Sequence, residues 1–281
     1  MPFSEDDRRA YWIAQLDEAY QFMFDSILHY PVEECGERFV SLREASAAAG
    51  VEVLFANASH VRGLERLFYL REGQITGFVA AAREMNQRGW ILRVEDGYRT
   101  REIQKYLGRL PQVFDAVLKT VMWELKGQVP TAQFMFRRCS CLVASVPKFG
   151  THMSGSAIDI SVVHRDDPDR EVDRGAPYIE MSALTPMDSP FVSAQAQHNR
   201  REITALMRRH GFVEYPFEFW HYSSGDAYDQ FLRRTGKPAI YGAVDWDPAT
   251  HAVTPLADLN QPLNSEEEVR AEIEAALQRL A

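Results

Sequence analysis

The chain has 281 residues, of which 46% are hydrophobic and 11% are aromatic. A chain of this length and composition can bury a sizeable core, which excludes a disordered or fibrous protein. Its formal net charge of -9 argues against a nucleic-acid partner, because an acidic surface repels phosphate backbones. No apolar stretch approaches the roughly 18 residues of a membrane-spanning helix, so no membrane partner is expected. A small molecule or a peptide is the expected partner, and the oligomeric state stays open.

The cysteines and the first residues bear on the cellular compartment. Cys35, Cys139 and Cys141 are an odd number and too few for a disulfide framework. The N-terminal segment MPFSEDDRRAYW is acidic where a secretory signal would be basic and then apolar. A reduced, cytoplasmic protein is therefore predicted. Cys139 and Cys141 are expected to be buried thiols rather than zinc ligands.

The predicted elements of the N-terminal third are helical. Apolar side chains at helical spacing, with acidic residues at the start, predict a helix over residues 5–28 that ends before Pro31. A second helix is predicted over residues 74–87. It stops at Arg88 and Gly89, which are typical of a helix C-terminus.

A strand and further helices follow. Residues 90–95 (WILRVE) are predicted to form a buried strand, with a turn at the following Asp-Gly pair. Thr100 suits the N-cap of the next helix, and residues 111–126 are predicted to be helical. Residues 157–163 (AIDISVV) form the next predicted strand. The polar stretch over residues 165–190 is predicted to be a long excursion, and such loops are usually functional or mobile.

The C-terminal part returns to regular elements. A helix is predicted over residues 193–209 and an aromatic strand over residues 217–223. A terminal helix over residues 265–280 begins with Ser265 and Glu268, which fit a capping box. The order of elements lacks a βαβ rhythm, so the predicted fold class is α+β.

Three short segments carry candidate chemistry: DGYR at 96–99, THMSGSAID at 151–159 and EFWH at 218–221. A catalytic zinc site uses three protein ligands and keeps one position for water. His152, Asp159 and His221 offer two imidazoles and one carboxylate for such a site. Glu218, near one ligand but not needed as one, is placed to accept the proton of the water. Gly155 permits the tight chain reversal that this grouping needs.

Strand geometry sets a condition on this hypothesis. Residues three or seven apart point to opposite faces of a regular strand. The hypothesis therefore requires that His152 lies on a loop and that the chain bends or bulges between Glu218 and His221.

Simpler explanations exist for each of these residues. A lone histidine is more often a packed or surface residue than a ligand, and Arg99 after a turn could be a surface ion-pair partner. Phe219 is expected to belong to the core. His164 with Asp166 and Asp167 forms a rival polar group that could bind a metal. The metal hypothesis rests on the three segments together.

The pattern His-x-x-Gly-x-Ala-x-Asp, here HMSGSAID, followed by Glu-x-Trp-His, here EFWH, resembles the D-alanyl-D-alanine peptidase family of zinc metallopeptidases. That family includes the vancomycin-resistance dipeptidases and carboxypeptidases. The DGYR segment is similar to the arginine motif of the family. The run that leads from Gly211 into EFWHYSSGD is especially similar to the dipeptidase branch. The resemblance covers about residues 55–240.

The resemblance implies a fold, a cofactor and residue roles. One zinc ion per chain would be held by His152, Asp159 and His221, with Glu218 as the catalytic base. Arg99 would stabilise the charge that develops on the carbonyl oxygen. The implied fold is an α+β architecture with a central antiparallel sheet flanked by helices, as in hedgehog-type and D,D-peptidase folds.

The chain departs from the family pattern in its substrate contacts. The family usually has Ser two residues before the first His, where this chain has Gly150, and Thr151 is the expected substitute. Glu180 is the expected replacement for the acid that holds the substrate's amino group in the dipeptidases. Trp220 and Tyr98 are predicted to form walls of the cleft.

The predicted function is zinc-dependent hydrolysis of a small peptide substrate, D-alanyl-D-alanine or a related cell-wall peptide. One alternative is a D,D- or L,D-carboxypeptidase that acts on longer muropeptides. Another is a metal-bearing peptide-binding module without catalysis. The peptidase domain is predicted over residues 1–244, with a C-terminal tail over residues 245–281 that ends in a helix.

Overall fold

Ten strands occur in the computed structural model, which describes residues 3–281. They are β1 (Phe39–Ser41), β2 (Val53–Phe55), β3 (Tyr69–Arg71), β4 (Trp90–Asp96), β5 (Ala157–His164), β6 (Asp167–Glu171), β7 (Val213–Tyr215), β8 (Glu218–Ser223), β9 (Val244–Trp246) and β10 (Val253–Pro255). Six of them form the central sheet in the order β2-β4-β5-β8-β7, with β6 paired to β5. The pairs β1-β3 and β9-β10 form two small sheets of their own.

The central sheet is antiparallel except at one edge. β2 runs parallel to β4, and the other neighbouring strands of this sheet are antiparallel. The predicted α+β class with a central antiparallel sheet is confirmed, with this one parallel pair added.

Nine α-helices accompany the strands within the described residues. They are α1 (Glu5–Gln21), α2 (Leu42–Ala49), α3 (Glu72–Gln87), α4 (Arg101–Leu107), α5 (Pro111–Glu124), α6 (Ala132–Val143), α7 (Ala194–Arg209), α8 (Ala227–Leu232) and α9 (Glu266–Leu280). The helix predicted over residues 5–28 changes pitch, because α1 passes into a π-helical turn at Phe22–Ser26 and a 3-10 turn at Ile27–His29. No helix among residues 3–281 combines the length and apolarity needed to cross a lipid bilayer.

The predicted helix caps are present. The Thr100 side chain accepts a hydrogen bond from the backbone of Ile103 at the start of α4. Ser265 and Glu268 form a reciprocal capping box at the start of α9. Each cap satisfies backbone N–H groups that the first helical turn leaves without partners. Several elements were not predicted, among them helix α6 and strand β6 inside the long polar excursion.

The two largest apolar clusters form layers, one on the sheet and one among the helices. Phe78 of α3 and Ile203 of α7 belong to the cluster that covers the sheet, together with Val94 and Ile160 from β4 and β5. Phe219 is buried in the same cluster, as predicted. This layer fixes the strands that carry the site.

A second layer is formed mainly by helices. Trp12 and Leu16 of α1 lie in one cluster with Phe114 of α5, Met135 of α6 and Ile273 of α9. The predicted boundary between residues 244 and 245 falls within β9, and α9 is buried on α5 and α6. The C-terminal helix is therefore packed into this layer.

Candidate metal centre

The three predicted metal ligands converge at the middle of the sheet. Asp159 on β5 lies directly opposite His221 on β8 in the strand register. His152 lies on the 3-10 turn Thr151–Ser154, just before β5. One potential ligand atom from each residue lies within 4.8 Å of the others, and all three residues are buried. Within the described residues this is the one such group, so His164, Asp166 and Asp167 do not form a rival site.

Gly155 makes the chain reversal between His152 and Asp159 possible. Its φ of +69° lies in the left-handed region, which favours glycine. A Cβ atom at this position would lie 2.1 Å from the ring of Phe39, so no larger residue fits without movement. The tight reversal predicted at this glycine is confirmed.

Two strand irregularities complete the arrangement. Tyr215 pairs with Glu218 whereas Glu214 pairs with Tyr222, so the register of β7 and β8 shifts between these pairs. The shift is the bend required for Glu218 and His221 to line the same cavity, which both residues do.

The second irregularity lies between β4 and β5. The register shifts between Val94 and Asp96, and this places Asp96 opposite Asp159. Two buried carboxylates thus face each other across neighbouring strands, and such a pair requires a cation between or beside them.

Hydrogen bonds orient both imidazole rings. His152 Nδ1 lies 2.7 Å from the carbonyl oxygen of Gly97, and its Nε2 lies 3.2 Å from Asp159 Oδ1. His221 Nε2 lies 2.9 Å from the Thr151 hydroxyl, and its Nδ1 lies 3.0 Å from the same Asp159 oxygen. Each ring thus uses one nitrogen for a protein partner and turns the other toward the carboxylate. This pattern is typical of metal-binding histidines.

The electrostatics of the three residues suit a cation. Burial alone would raise the pKa of Asp159, but the hydrogen bonds and charges of His152 and His221 hold that pKa well below its ordinary value. Burial lowers the pKa of His221, which favours the neutral ring that binds a metal. Two imidazoles and one carboxylate also match the ligand set of a catalytic zinc, which keeps a further position for water.

Arg99 is the cation that joins the two facing carboxylates. Its Nε donates to Asp96 Oδ2 at 2.8 Å and its Nη2 donates to Asp159 Oδ2 at 3.1 Å. Its Nη1 lies 3.4 Å from Gln104 Oε1. Burial would lower the pKa of Arg99, but Asp96 and Asp159 raise it above the ordinary value, so the group stays charged. The guanidinium lines the cavity.

Glu218 differs from the other buried acids of the site. Its carboxylate lines the cavity, and among residues 3–281 the side chain has no hydrogen-bond partner. Burial raises its pKa well above the ordinary value, the charge of Asp159 raises it further, and Arg99 opposes the shift. A carboxylate with a raised pKa beside a cavity is suited to accept and return a proton.

The cavity has a volume of about 400 Å³. Its lining residues show which of the predicted substrate contacts face a bound peptide. Trp220 and Thr151 line it, although the Thr151 hydroxyl is already bonded to His221. Glu180 is half-buried and does not line it. Tyr98 is fully buried elsewhere: its hydroxyl donates to the carbonyl of Val244. The expected wall role of Tyr98 and the expected amine contact of Glu180 do not fit these positions.

Some neighbours of the site were not singled out from the sequence. The Tyr178 hydroxyl donates to Asp159 Oδ2 at 2.9 Å from within the polar excursion. His60 Nε2 lies 3.0 Å from Asp96 Oδ2, and Arg66 Nη1 lies 3.3 Å from the same oxygen. Asp96 is the first residue of the DGYR segment, so the sequence already pointed to its neighbourhood. Tyr178 and His60 belong to no motif, so only their folded positions show their contacts.

The fold and the site define a class, that of zinc metallopeptidases. A family model described as D-ala-D-ala dipeptidase, within the M15 peptidases, matches residues 38–236. The chain belongs to this family, and it is a zinc-dependent peptidase of small peptides.

Individual relatives are more distant. The chain is 24% identical over 243 residues to the D-alanyl-D-alanine dipeptidase of Synechocystis. That alignment covers 78% of this chain and 96% of the relative. It is 35% identical over 80 residues to the D-alanyl-D-alanine dipeptidase of Escherichia coli. This shorter alignment covers 28% of this chain and 40% of the relative. The vancomycin resistance D,D-pentapeptidase VanY, solved with Zn(II), aligns over 74% of this chain and 91% of that chain. It does so at 16% identity and with a TM-score of 0.37.

Proposed function

We propose that the protein hydrolyses D-alanyl-D-alanine or a related cell-wall dipeptide, with one zinc ion held by His152, Asp159 and His221. The observation that carries this proposal is the meeting of these three side chains with Glu218 and Arg99 at one cavity. The names of the relatives supply the substrate class. The donor atoms and their burial support the assignment of the ligands.

The proposed mechanism divides the work among the side chains. Zinc, when bound, supplies the Lewis acidity that makes a water molecule acidic near neutral pH. The Glu218 carboxylate accepts a proton from the attacking water at its oxygen and later gives that proton to the leaving amine. The raised pKa of Glu218 suits both steps, because the group must be protonated and deprotonated in each turnover.

Arg99 is proposed to stabilise the carbonyl oxygen as negative charge develops there. An arginine has more N–H donors than the three bonds to Asp96, Asp159 and Gln104 use, so others remain for a substrate. The two carboxylates and the amide hold the guanidinium plane in place, and a donor fixed in advance stabilises charge without reorganising.

The position of Glu180 favours a second candidate function. Among residues 3–281, no acid other than Asp96, Asp159 and Glu218 lines the cavity, so the free amino group of a dipeptide has no evident partner of its own. A D,D- or L,D-carboxypeptidase acting on longer muropeptides does not need one. Hydrolysis of an N-acylated D-Ala-D-Ala at a higher kcat/KM than the free dipeptide would favour this alternative.

Location and partners complete the proposal. A cytoplasmic location is supported by the cysteines, since Cys35, Cys139 and Cys141 are all free thiols. The net charge of -9 supports the absence of a nucleic-acid partner.

Metal removal is the direct test of the proposed function. Treatment with a chelator is expected to abolish release of D-alanine from D-Ala-D-Ala, and added zinc is expected to restore it. Magnesium is not expected to restore activity, because it prefers oxygen ligands in octahedral geometry over two imidazoles and one carboxylate. Full activity in a protein shown by metal analysis to be metal-free would contradict the proposal.

Thr151 offers a test of the ligand assignment that does not require turnover. Replacing Thr151 by valine removes the hydroxyl that contacts His221 Nε2 and keeps the shape of the side chain. The zinc affinity is expected to fall by about 10- to 100-fold, the usual effect of losing such an orienting bond. Competition with a chromophoric chelator measures it. The matched control is Thr204→Val, which removes another buried hydroxyl, bonded to Tyr222 away from the site, and should leave the zinc affinity unchanged.

A further inference from the structure

One part of the cavity wall is apolar and is built by helices instead of the sheet. It consists of Leu107 at the end of α4, Leu110 just before α5, Val113 in α5, and Leu142 and Val143 at the end of α6. We call these five residues the apolar wall. The first three are only half-buried, although each lines the cavity.

The apolar wall is tied to the catalytic side of the cavity by one side chain. Gln104 of α4 accepts a hydrogen bond from Arg99 through its Oε1. Through its Nε2 the same side chain donates to the carbonyl oxygens of Val143 and Ala144 at the end of α6. The helix ends that present the apolar wall are therefore fixed relative to Arg99.

The chemistry of this wall selects what can lie against it. Leu107, Leu110 and Val113 are partly exposed, whereas Leu142 and Val143 are buried. Apolar area left open to water costs free energy, and a ligand that covers it recovers that free energy. None of the five residues can pair with a charge. The acids that line the cavity are Asp96, Asp159 and Glu218, and the first two are bonded to Arg99. An ammonium group placed against the apolar wall would lose water without gaining a partner from these five residues.

We propose that the apolar wall binds a branched aliphatic side chain of the substrate, in the same cavity as the metal centre. The inference rests on the proposed peptidase function and adds the substrate class to it. The preferred substrate is then a short peptide with a leucine-like residue, and a peptide of alanine alone is a poorer one. The volume supports this, because about 400 Å³ falls in the range of roughly 300–1,000 Å³ that holds drug-sized ligands, which are much larger than an alanine dipeptide.

Turnover of matched dipeptides by the zinc-loaded enzyme tests the inference. The peptides are D-Ala-D-Ala, D-Leu-D-Ala and D-Ala-D-Leu, with the corresponding L,D-forms. One of the leucyl peptides is expected to have a kcat/KM about tenfold or more above that of its alanyl counterpart, the usual gain when added methyl groups fill an apolar pocket. If every alanyl peptide is the better substrate, the inference is overturned while the proposed function stands.

Two variants locate the effect. Val113→Thr adds a hydroxyl at nearly constant volume, and Leu110→Ala removes apolar contact. Each is expected to reduce the ratio of kcat/KM for the leucyl peptide to kcat/KM for the alanyl peptide by about tenfold. Val79→Thr is the matched control, since Val79 is also half-buried on a helix but lies on α3 outside the cavity. A preference that survives both cavity variants would contradict the assignment to the apolar wall.

A binding measurement separates the inference from the proposed function. Calorimetric titration of the zinc-loaded Glu218→Gln protein with the same peptides needs no turnover. Tighter binding of a leucyl peptide, reduced by Val113→Thr, supports the inference even if no peptide is hydrolysed and the proposed function fails. Equal or weaker binding of every leucyl peptide overturns it.

Discussion

Replacing Glu218 by glutamine is expected to lower kcat by about two to four orders of magnitude, the range that removing a general acid–base group costs. The amide cannot accept a proton from water, whereas the cavity-facing carboxylate can. The zinc content is expected to remain one ion per chain, because Glu218 is not among the three proposed ligands. Steady-state kinetics and metal analysis of the same zinc-loaded sample measure both quantities.

The same substitution also has an expected effect on stability. Burial and Asp159 raise the pKa of Glu218 well above its ordinary value of 4.5. An acid with a raised folded-state pKa stabilises the fold below its unfolded-state pKa, and this contribution is lost as the pH rises through the folded-state value. Glutamine does not ionise. The difference in Tm between the metal-free variant and the metal-free wild type is therefore expected to grow in favour of the variant as the pH rises above about 4.5.

Glu214→Gln is the matched control for the kinetic measurement. Glu214 and Glu218 are each 9% exposed and lie on neighbouring strands. The Glu214 carboxylate pairs with Arg208 and does not line the catalytic cavity. This control is expected to keep most of the wild-type kcat. If the Glu218 variant keeps full activity as well, the assignment of the general base is wrong.

Replacing Arg99 by lysine is expected to lower kcat by about 10²- to 10³-fold, comparable to losing one donor to a developing oxyanion. The positive charge is conserved, so the loss reports geometry. A lysine ammonium is a point charge on a flexible stem and cannot contact Asp96, Asp159 and Gln104 in the plane of a guanidinium. Kinetics at saturating zinc measure this effect, because Asp159 is also a proposed ligand.

Arg93→Lys is the control for that experiment. Arg93 lies on the same strand as Asp96 and pairs with Glu171 at the surface of the sheet, outside the cavity. Its replacement is expected to leave kcat unchanged, since exposed ion pairs contribute little. A kcat for Arg99→Lys as high as that of the control would show that the planar geometry of the guanidinium is not needed in the reaction.

The sequence predicts the metal site well because the site depends on local features. Gly155 has to be glycine for the chain to turn, and two histidines and an aspartate in the right order are the ligands that zinc prefers. The requirement for a bend near Glu218 could be stated in advance, because strand alternation is strict. The register shift between β7 and β8 meets that requirement.

The walls of the cavity could not be predicted in the same way. Tyr98 follows the turn at Asp96 and Gly97, but its burial under β9 depends on residues almost 150 positions later in the chain. Tyr178 reaches Asp159 from a segment without a regular pattern. Such contacts depend on tertiary packing, which neither spacing nor local propensity encodes.

The cavity divides its residues between two structural layers. The metal ligands and Glu218 come from the sheet and the turn beside it, whereas the apolar wall and Met23, which precedes the family-matched residues, come from the helices. Mutations in the helical layer can therefore alter which peptide is accepted without touching a zinc ligand. The scaffold can therefore change its substrate preference through the helices while the residues that carry out hydrolysis stay the same.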